Sequence, residues 1–445
     1  MRQMKESGNK SIGSIPVSWN VIPLKYLYDN SNGSAVRVGP FGSALTSSDI
    51  VDSGIWIYNQ KTIMNNDFSC NDTYVSKEKA QELSAFSVNP GDILVTTRGT
   101  VGRIAVVPEA APQGVLHPCV IRFRIDEKKF NKDLLTLIFN DTDLVNKQIM
   151  DMSNSTTIEV LYSYSLKEIR VPVPTINEQN RIVDYLQTNC FIIDSIIEKQ
   201  EAIIEKLKEY KLSVITEAVT KGLDPNVEMK DSGIEWIGKC PASWSRAKLN
   251  NLCSFHNGDR SSNYPSPDDF VDDGIPFIGA DSLNGFYVDC SVSKHITTEK
   301  YSSMGGIKIK EGDILYTLRG STIGKNSIAG FNDGTVASSL MGIRIDDRDK
   351  LDSKFLLYYL NSEMEYIQRD VCINGSTAPN LSADDVKNFV IFIPAIDEQV
   401  VIANALNDEC SRIDNQIECY ERIIEKLQQY KKSLIYEVVT GKREV

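Results

Sequence analysis

Histidine is scarce in this sequence of 445 residues: only His117, His256 and His295 occur, far apart. That sets aside histidine-rich metal sites and histidine proton relays. The nine cysteines are odd in number and form no CxxC pair. This argues against a cysteine-ligated zinc site and for a reducing compartment. No run of 18 apolar residues exists, so no membrane span is expected. The opening MRQMKESGNKSIGSIP lacks an apolar h-region, which predicts no secretory leader and a cytoplasmic location. Catalytic signatures are missing as well. There is no GxGxxG, HExxH, GxSxG or Pro-Pro dipeptide, and therefore no Asp/Asn-Pro-Pro-aromatic element of an amino-methyltransferase. GSTIGK at Gly320–Lys325 has the wrong glycine spacing for a phosphate loop, and Asn326 stands where Ser or Thr should. The sequence therefore predicts a protein that is not an enzyme and holds no metal.

Hydrophobic residues make up 41 % and charged residues 24 %, ordinary for globular protein. At roughly 150 residues per domain, the length suggests two to four domains. The net charge is −12, from 48 basic and 60 acidic residues. Taken alone, that argues against nucleic-acid binding, since phosphate contact needs Lys and Arg.

What is present is a duplication. MKESG at Met4–Gly8 returns as MKDSG at Met229–Gly233, and IPVSW at Ile15–Trp19 as CPASW at Cys240–Trp244, both 225 residues on. VDSGI at Val51–Ile55 returns as VDDGI at Val271–Ile275, 220 residues on, and GDILVTTRG at Gly91–Gly99 as GDILYTLRG at Gly312–Gly320, 221 on. VPTINEQ at Val173–Gln179 returns as IPAIDEQ at Ile393–Gln399, and IIEKLKEYK at Ile203–Lys211 as IIEKLQQYK at Ile423–Lys431, both at 220. Matches in constant order at near-constant offset predict two copies of one unit related by a pseudo-twofold axis.

Each copy has two parts. The first is rich in Gly, Ser, Thr and Asn. Short apolar runs such as Asp92–Thr96 and Ile104–Val107 read as strands, and Lys132–Asn140 and Ser353–Leu360 as helices, giving an α+β globule. The second, Asn177–Thr220 and again Asp397–Thr440, contains neither Pro nor Gly. In it, apolar residues alternate in steps of three and four. Ile193, Ile196, Gln200, Ile203, Leu207, Tyr210 and Val214 mark the first copy; Ile413, Gln416, Tyr420, Ile423, Leu427, Tyr430 and Leu434 mark the second. That is a coiled-coil seam. Asn177 and Asp397 are expected as N-caps, and Gly222 and Gly441 as stops. Gln200 and Gln416 form a polar layer that either selects register or lies where the seam opens. Cys190 and Cys410, at matching positions, read as small core residues. The expected division is 14–174 for the first globule, 175–222 for its helix, 223–239 for a linker, 240–394 for the second globule and 395–441 for the last helix.

Helix one leads through the linker straight into globule two, which helix two then leaves. Two helices sharing a seam must therefore run antiparallel, with N-terminal Met4–Trp19 docked near the end of helix two. The expected shape is a dumbbell: two related globules held apart by a two-helix spacer. The helices carry 8 acidic and 5 basic residues, then 9 and 5, so −7 of the net −12 lies in them. Local basic faces on the globules remain open.

The duplicated GDIL…RG element offers the clearest contact chemistry. Thr97, Arg98 and Thr100 form a donor-rich tip followed by Arg103; copy two places Arg319, Ser321, Thr322 and Lys325 in the same stretch. Arginine can grip a guanine edge or a phosphate, and hydroxyls suit phosphate oxygens. Equally, the arginine could pair with a nearby Asp and fasten its own loop. Gly39–Ser43, Asn59, Gln60 and Lys61, and Asn257–Asn263 are further polar loops that either reach bases or are ordinary surface.

MKDSGIEWIG at Met229–Gly238, Pro241 to Trp244, the GDIL…RG element and Pro174…Glu178-Gln179 opening a long helix together resemble the specificity subunit of type I restriction-modification systems. The likeness spans nearly the whole chain. It implies two target-recognition domains, each reading half of a split, asymmetric double-stranded DNA sequence. It also implies helices that set spacing and dock two methyltransferase subunits, with two ATP-dependent translocase/nuclease subunits joining for restriction. The subunit is then non-catalytic; S-adenosylmethionine, ATP and Mg belong to the partners. Copy one departs from the pattern: GNKSIG at Gly8–Gly13 lacks the aromatic of GIEWIG at Gly233–Gly238, which predicts weaker docking of the N-terminal segment. Asn154–Thr156 and Gly375–Thr377 match only loosely. A coiled-coil scaffold with two protein- or glycan-binding globules is the competing reading.

Overall fold

The computed structural model describes residues 2–31, 33–41, 44–152, 160–373 and 380–445. Ser43 and the Asn154–Thr156 and Gly375–Thr377 pairing thus lie outside the described residues. The chain forms two compact units, 1–199 with 422–445, and 200–421. Each is an α+β body and includes a stretch of both long helices.

In the first unit, β1 (Val36–Val38), β2 (Ile93–Thr96), β3 (Ile104–Val106) and β4 (Val120–Phe123) make an antiparallel sheet in the order β3-β2-β4-β1. In the second, β5 (Cys253–Asn257), β6 (Ile314–Thr317), β7 (Asn326–Ile328) and β8 (Leu340–Ile345) repeat it as β7-β6-β8-β5. Strand β2 reads Ile-Leu-Val-Thr without polar alternation because both its faces are covered. Ile93 and Val95 enter the main core with Trp19, Phe123 and Phe139, while Leu94 enters a smaller one with Tyr58 and Leu116. Strand β6 does the same, with Ile314 and Tyr316 on one face and Leu315 on the other. The smaller cores lie under a second sheet in each unit, with a parallel pairing of Ile57 with Val115 and of Phe277 with Thr335. The helices Lys132–Asn140 and Ser353–Leu360 form as expected. Asn131 and Asp352 cap them by accepting from the second and third amides.

The long helices are α1 (Ile176–Lys221) and α2 (Ile396–Val439). Each starts one residue before the expected caps, so Asn177 and Asp397 lie inside the first turn. The preceding prolines, Pro174 and Pro394, leave room for one more residue to turn. Gly222 and Gly441 end them in the left-handed conformation, at φ of +76° and +71°. The helices are antiparallel within each unit. In the first, a Cβ on Gly441 would lie 3.0 Å from the Trp19 ring, and Trp19 Nε1 donates to Glu178 at 3.0 Å. The end of α2 therefore sits beside the start of α1. In the second, a Cβ on Gly222 would meet Glu398 and Trp244 at 3.4 Å.

Six of the fourteen expected seam positions are displaced by one residue. Ile193, Gln200, Leu207, Val214, Ile413, Tyr420, Leu427 and Leu434 are buried or half-buried, as expected. Ile196, Ile203, Tyr210, Gln416, Ile423 and Tyr430 are exposed. Their inward neighbours are Ile197, Ile204, Lys211, Ile417, Ile424 and Lys431. The doublets Ile196–Ile197, Ile203–Ile204 and Ile423–Ile424 satisfy either phase of a three–four alternation. The inward lysines hid the true phase because they read as surface; their stems are covered while their heads reach Asp414 and Asp194. Cys410 is buried and Cys190 half-buried, both in the cores. Burial pushes the thiol of Cys190 up, and that of Cys410 up to about 11.

The N-terminal hairpin docks without its missing aromatic. Ile12 is fully buried and its carbonyl accepts from Tyr436 of α2, whereas Trp236, the aromatic of copy two, is 38 % exposed. The anchors are Ile12, Ile15 and Trp19, so the expected weakening has no basis in the packing.

Candidate nucleic-acid interface

One end of each four-stranded sheet gathers several loops. In the first unit Gly39 N donates to Val120 O, Thr97 N to Cys119 O and Leu161 N to Thr97 O. In the second, Gly258 N donates to Leu340 O, Leu318 N to Ser339 O and Leu381 N to Leu318 O. The same three connections thus bring the same three loops to the tip that carries Arg98 or Arg319.

The motif aspartate beneath that tip is already engaged. Asp92 is 2 % exposed; it receives Arg124 Nε at 2.6 Å and Asn89 N at 2.8 Å. Asp313 receives Arg344 Nε at 2.8 Å and NH2 at 2.7 Å, and Lys310 N at 2.8 Å. Arginines of β4 and β8, or of residues just after them, therefore neutralise these carboxylates and lock the turn before each central strand. Arg98 and Arg319 are exposed, and neither forms an ion pair among the described residues. The loop around Arg98 is pinned through its backbone, since Gln60 Nε2 donates to Arg98 O at 2.6 Å. Arg319 pairs by backbone bridge with Asn380. Both tips are thus held while their guanidinium groups face outward.

Other expected contacts are committed elsewhere. Thr97 is 5 % exposed and its hydroxyl donates to Cys119 O at 2.9 Å, because this first residue after β2 is gripped between the Cys119 and Leu161 segments. Arg103 turns away from the tip. It donates to Asn140 O, at the carbonyl-rich end of the helix Lys132–Asn140, and lines a cleft of about 900 Å³ with Asp141, Asp194 and Lys431. Lys325 donates to Asn284 Oδ1 at 2.8 Å beside a matching cleft of about 630 Å³ near Lys211 and Asp414. Asn59 is a helix cap, accepting from Thr62 N at 3.2 Å, because the loop turns into the helix Gln60–Asn65. Lys61 is neutralised by Asp72 at 2.9 Å. Thr100 and Ser321 remain exposed, and Thr322 half-exposed. His117 accepts from Cys119 N through Nδ1 at 3.1 Å, and burial holds its pKa below the usual range. It is a neutral loop brace, not a cation.

Three features were not singled out as residues from sequence, although two of them lie in the candidate loops Gly39–Ser43 and Asn257–Asn263. Phe41 is 67 % exposed at the sheet end. Tyr162 and Tyr164 stack with centroids 5.3 Å apart and planes 9° from parallel, next to Leu161, which holds Thr97. Arg260 donates to Ser338 O beside Arg319. Alignment of the copies about Gly39 and Gly258 would have found the first and third. The tyrosines carry no sequence signal because their twins are Ser382 and Asp384. Among the described residues no group of His, Cys, Asp and Glu could hold a metal, and no helix is long and apolar enough to cross a membrane.

Two copies of one α+β recognition body, each ending in a donor-rich tip, define a duplicated binding module. Residues 42–209 and 241–429 match the model of the type I restriction modification DNA specificity domain, and the chain belongs to that family. It is similar to the type I restriction enzyme MjaVIII specificity subunit of Methanocaldococcus jannaschii, 23 % identical over 360 residues that span 80 % of each chain. It is likewise similar to that organism's putative MjaX specificity subunit, 24 % identical over 97 % of this chain and 95 % of that one. The EcoBI specificity subunit of Escherichia coli is 25 % identical over 89 % of this chain and 80 % of that one. In fold, the chain is similar to a chain solved within a type I restriction-modification assembly, with a TM-score of 0.68 at 16 % identity, covering 96 % and 99 % of the two chains. It is also similar to the HsdS subunit of Thermoanaerobacter tengcongensis, with a TM-score of 0.51 at 15 % identity, covering 96 % and 98 %. The chain is thus a specificity subunit with two target-recognition domains; the scaffold reading finds no support.

Proposed function

We propose that each sheet end reads one half of a bipartite, asymmetric DNA target, and that α1 and α2 set the gap between halves and dock two methyltransferase subunits. The observation that carries this reading is the duplicated tip: the motif aspartates are taken by Arg124 and Arg344, which leaves Arg98 and Arg319 exposed for an external anion or base edge. The acidity of the helices argues that much of the non-specific DNA attraction comes from the partners. Exposed apolar side chains on the helices support docking: Phe191, Ile196, Ile203 and Tyr210 on α1, and Val401 and Ile423 on α2. Two ATP-dependent restriction/translocase subunits complete the assembly in the cytoplasm. S-adenosylmethionine, ATP and Mg bind to those partners, and the chain itself binds none.

The test is a map of N6-methyladenine across the host genome, with the gene intact and deleted. Loss of one split, asymmetric motif on deletion is expected. A methylome unchanged while the methyltransferase subunits co-purify with the chain would overturn the reading.

A further inference from the structure

The two units leave their edge strands in the same way and then present opposite chemistry. A Cβ on Gly39 would lie 2.0 Å from His117 O, and one on Gly258 would lie 2.3 Å from Ala337 O. Only glycine permits this close approach, so both chains press onto the neighbouring loop at the same point. Two residues later stand Phe41 in the first unit and Arg260 in the second.

Arg260 is exposed, and its Nε donates to Ser338 O at 3.2 Å. That bond orients the side chain, and its terminal Nη1 and Nη2 groups have no partner among the described residues. Burial and the like charge of Arg319 both pull its pKa below the usual arginine range. Neither arginine has a carboxylate partner among the described residues. The nearest acidic neighbour in sequence, Asp259, is 4 % exposed and turned inward, accepting from Ser261 N and Gly305 N at 2.7 Å. The like charge of Arg319 acts on Arg260, and a bound polyanion relieves such repulsion. In the first unit Pro40 replaces Asp259 and Phe41 replaces Arg260. On the loop that holds Thr97, Tyr162 and Tyr164 stack in the first unit, where the second unit has Ser382 and Asp384.

We propose that Arg260 reads a guanine edge in the half-site of the second unit, while Phe41 at the matching position reads its half-site by apolar contact with a thymine methyl. A guanidinium with its Nε anchored offers a two-pronged donor that matches guanine O6 and N7. Phenylalanine has no donor, and the thymine methyl is the apolar group in the major groove. Arg319 then holds a backbone phosphate. This position is a source of the target's asymmetry. The inference rests on the proposed function above.

The experiment uses the full chain co-expressed with its methyltransferase subunits, and reads methylated adenines on a randomised-target plasmid library. The wild-type complex must return one bipartite motif; if it does not, the proposed function fails and not this assignment alone. Arg260→Lys keeps charge but loses the fork. It is expected to relax one G·C position in one half-site by roughly 5–150-fold, leaving the other half-site unchanged. Arg260→Ala is expected to do the same with weaker overall methylation, and Phe41→Ala to relax a T·A position in the opposite half-site. Thermal melts matching wild type establish that each variant is folded. Unchanged base preference in all variants would overturn the proposal. So would a uniform loss of methylation with no change in preference, which would assign Arg260 to phosphate.

Discussion

Lys431 Nζ lies 2.7 Å from both carboxylate oxygens of Asp194, and Lys211 repeats the arrangement with Asp414 at the same distances. Adding 220 to Asp194 and Lys211 gives Asp414 and Lys431, so one sequence element supplies the acid of one pair and the base of the other. These pairs place the two helices at matching depth in each unit.

The pairs are partly solvated, so their contribution should be small and salt-sensitive. A double-mutant cycle over Lys431→Ala and Asp194→Ala, read by urea unfolding, should give a coupling of about 0.5 kcal/mol at low salt. It should approach zero near ~1 M salt, where the screening length is about 3 Å.

Gln179 and Gln399 matter far more than their polarity suggests. Both are fully buried. Gln179 accepts from Asn131 N and donates to Lys129 O and Pro174 O; Gln399 does the same with Asp352, Lys350 and Pro394. Gln179→Ala or Gln399→Ala removes three bonds and strands three backbone groups. A loss of about 3 kcal/mol in chemical unfolding is expected.

Arg98→Ala combined with Arg319→Ala should not lower the melting temperature, because neither side chain forms an ion pair among the described residues. In complex with the methyltransferase subunits, affinity for target DNA should fall about 10–100-fold, measured by fluorescence anisotropy.

Spacing offers a third readout of the proposed function. Inserting seven residues near Gln200 and seven near Tyr420 keeps the seam in phase and adds about 10 Å. The gap between methylated half-sites should grow by about three base pairs, seen by methylation mapping.

Thiol labelling should separate surface from core. Cys70 and Cys419 are exposed and should react first with an aromatic disulfide reagent, while Cys253 and Cys410 should react only on unfolding. Burial pushes Cys253 up to about 12 from an ordinary 9.0, so the folded chain keeps a proton that the unfolded chain loses. Stability should therefore be constant with respect to this group below pH 9 and decline as pH rises from there towards 12.

Periodic and repeated features were legible because they are local or because the chain states them twice. The strands about Ile93 and Ile314, the helices Lys132–Asn140 and Ser353–Leu360, and the stops at Gly222 and Gly441 follow from pattern alone. The antiparallel sense of α1 and α2 followed from connectivity. Both INEQ/IDEQ and PxSW were visible as repeats, but that Glu178 accepts from Trp19 and Glu398 from Trp244 was not. Residues some 160 apart meet only through packing.

The sequence by itself determined a duplicated α+β chain with two long helices and the family to which it belongs. Regular hydrogen bonding and apolar periodicity are short-range, and duplication needs only comparison of the chain with itself. Tertiary structure alone decided the seam's phase, since Ile196 and Ile197 serve either one until a facing helix chooses. It also decided which polar side chains are free. Thr97 and Arg103 have the same chemistry as groups that could meet DNA, yet each is consumed by a backbone partner brought near by the fold, Cys119 and Asn140. Arg98 and Arg319 stay exposed because Arg124 and Arg344 reach the motif aspartates first.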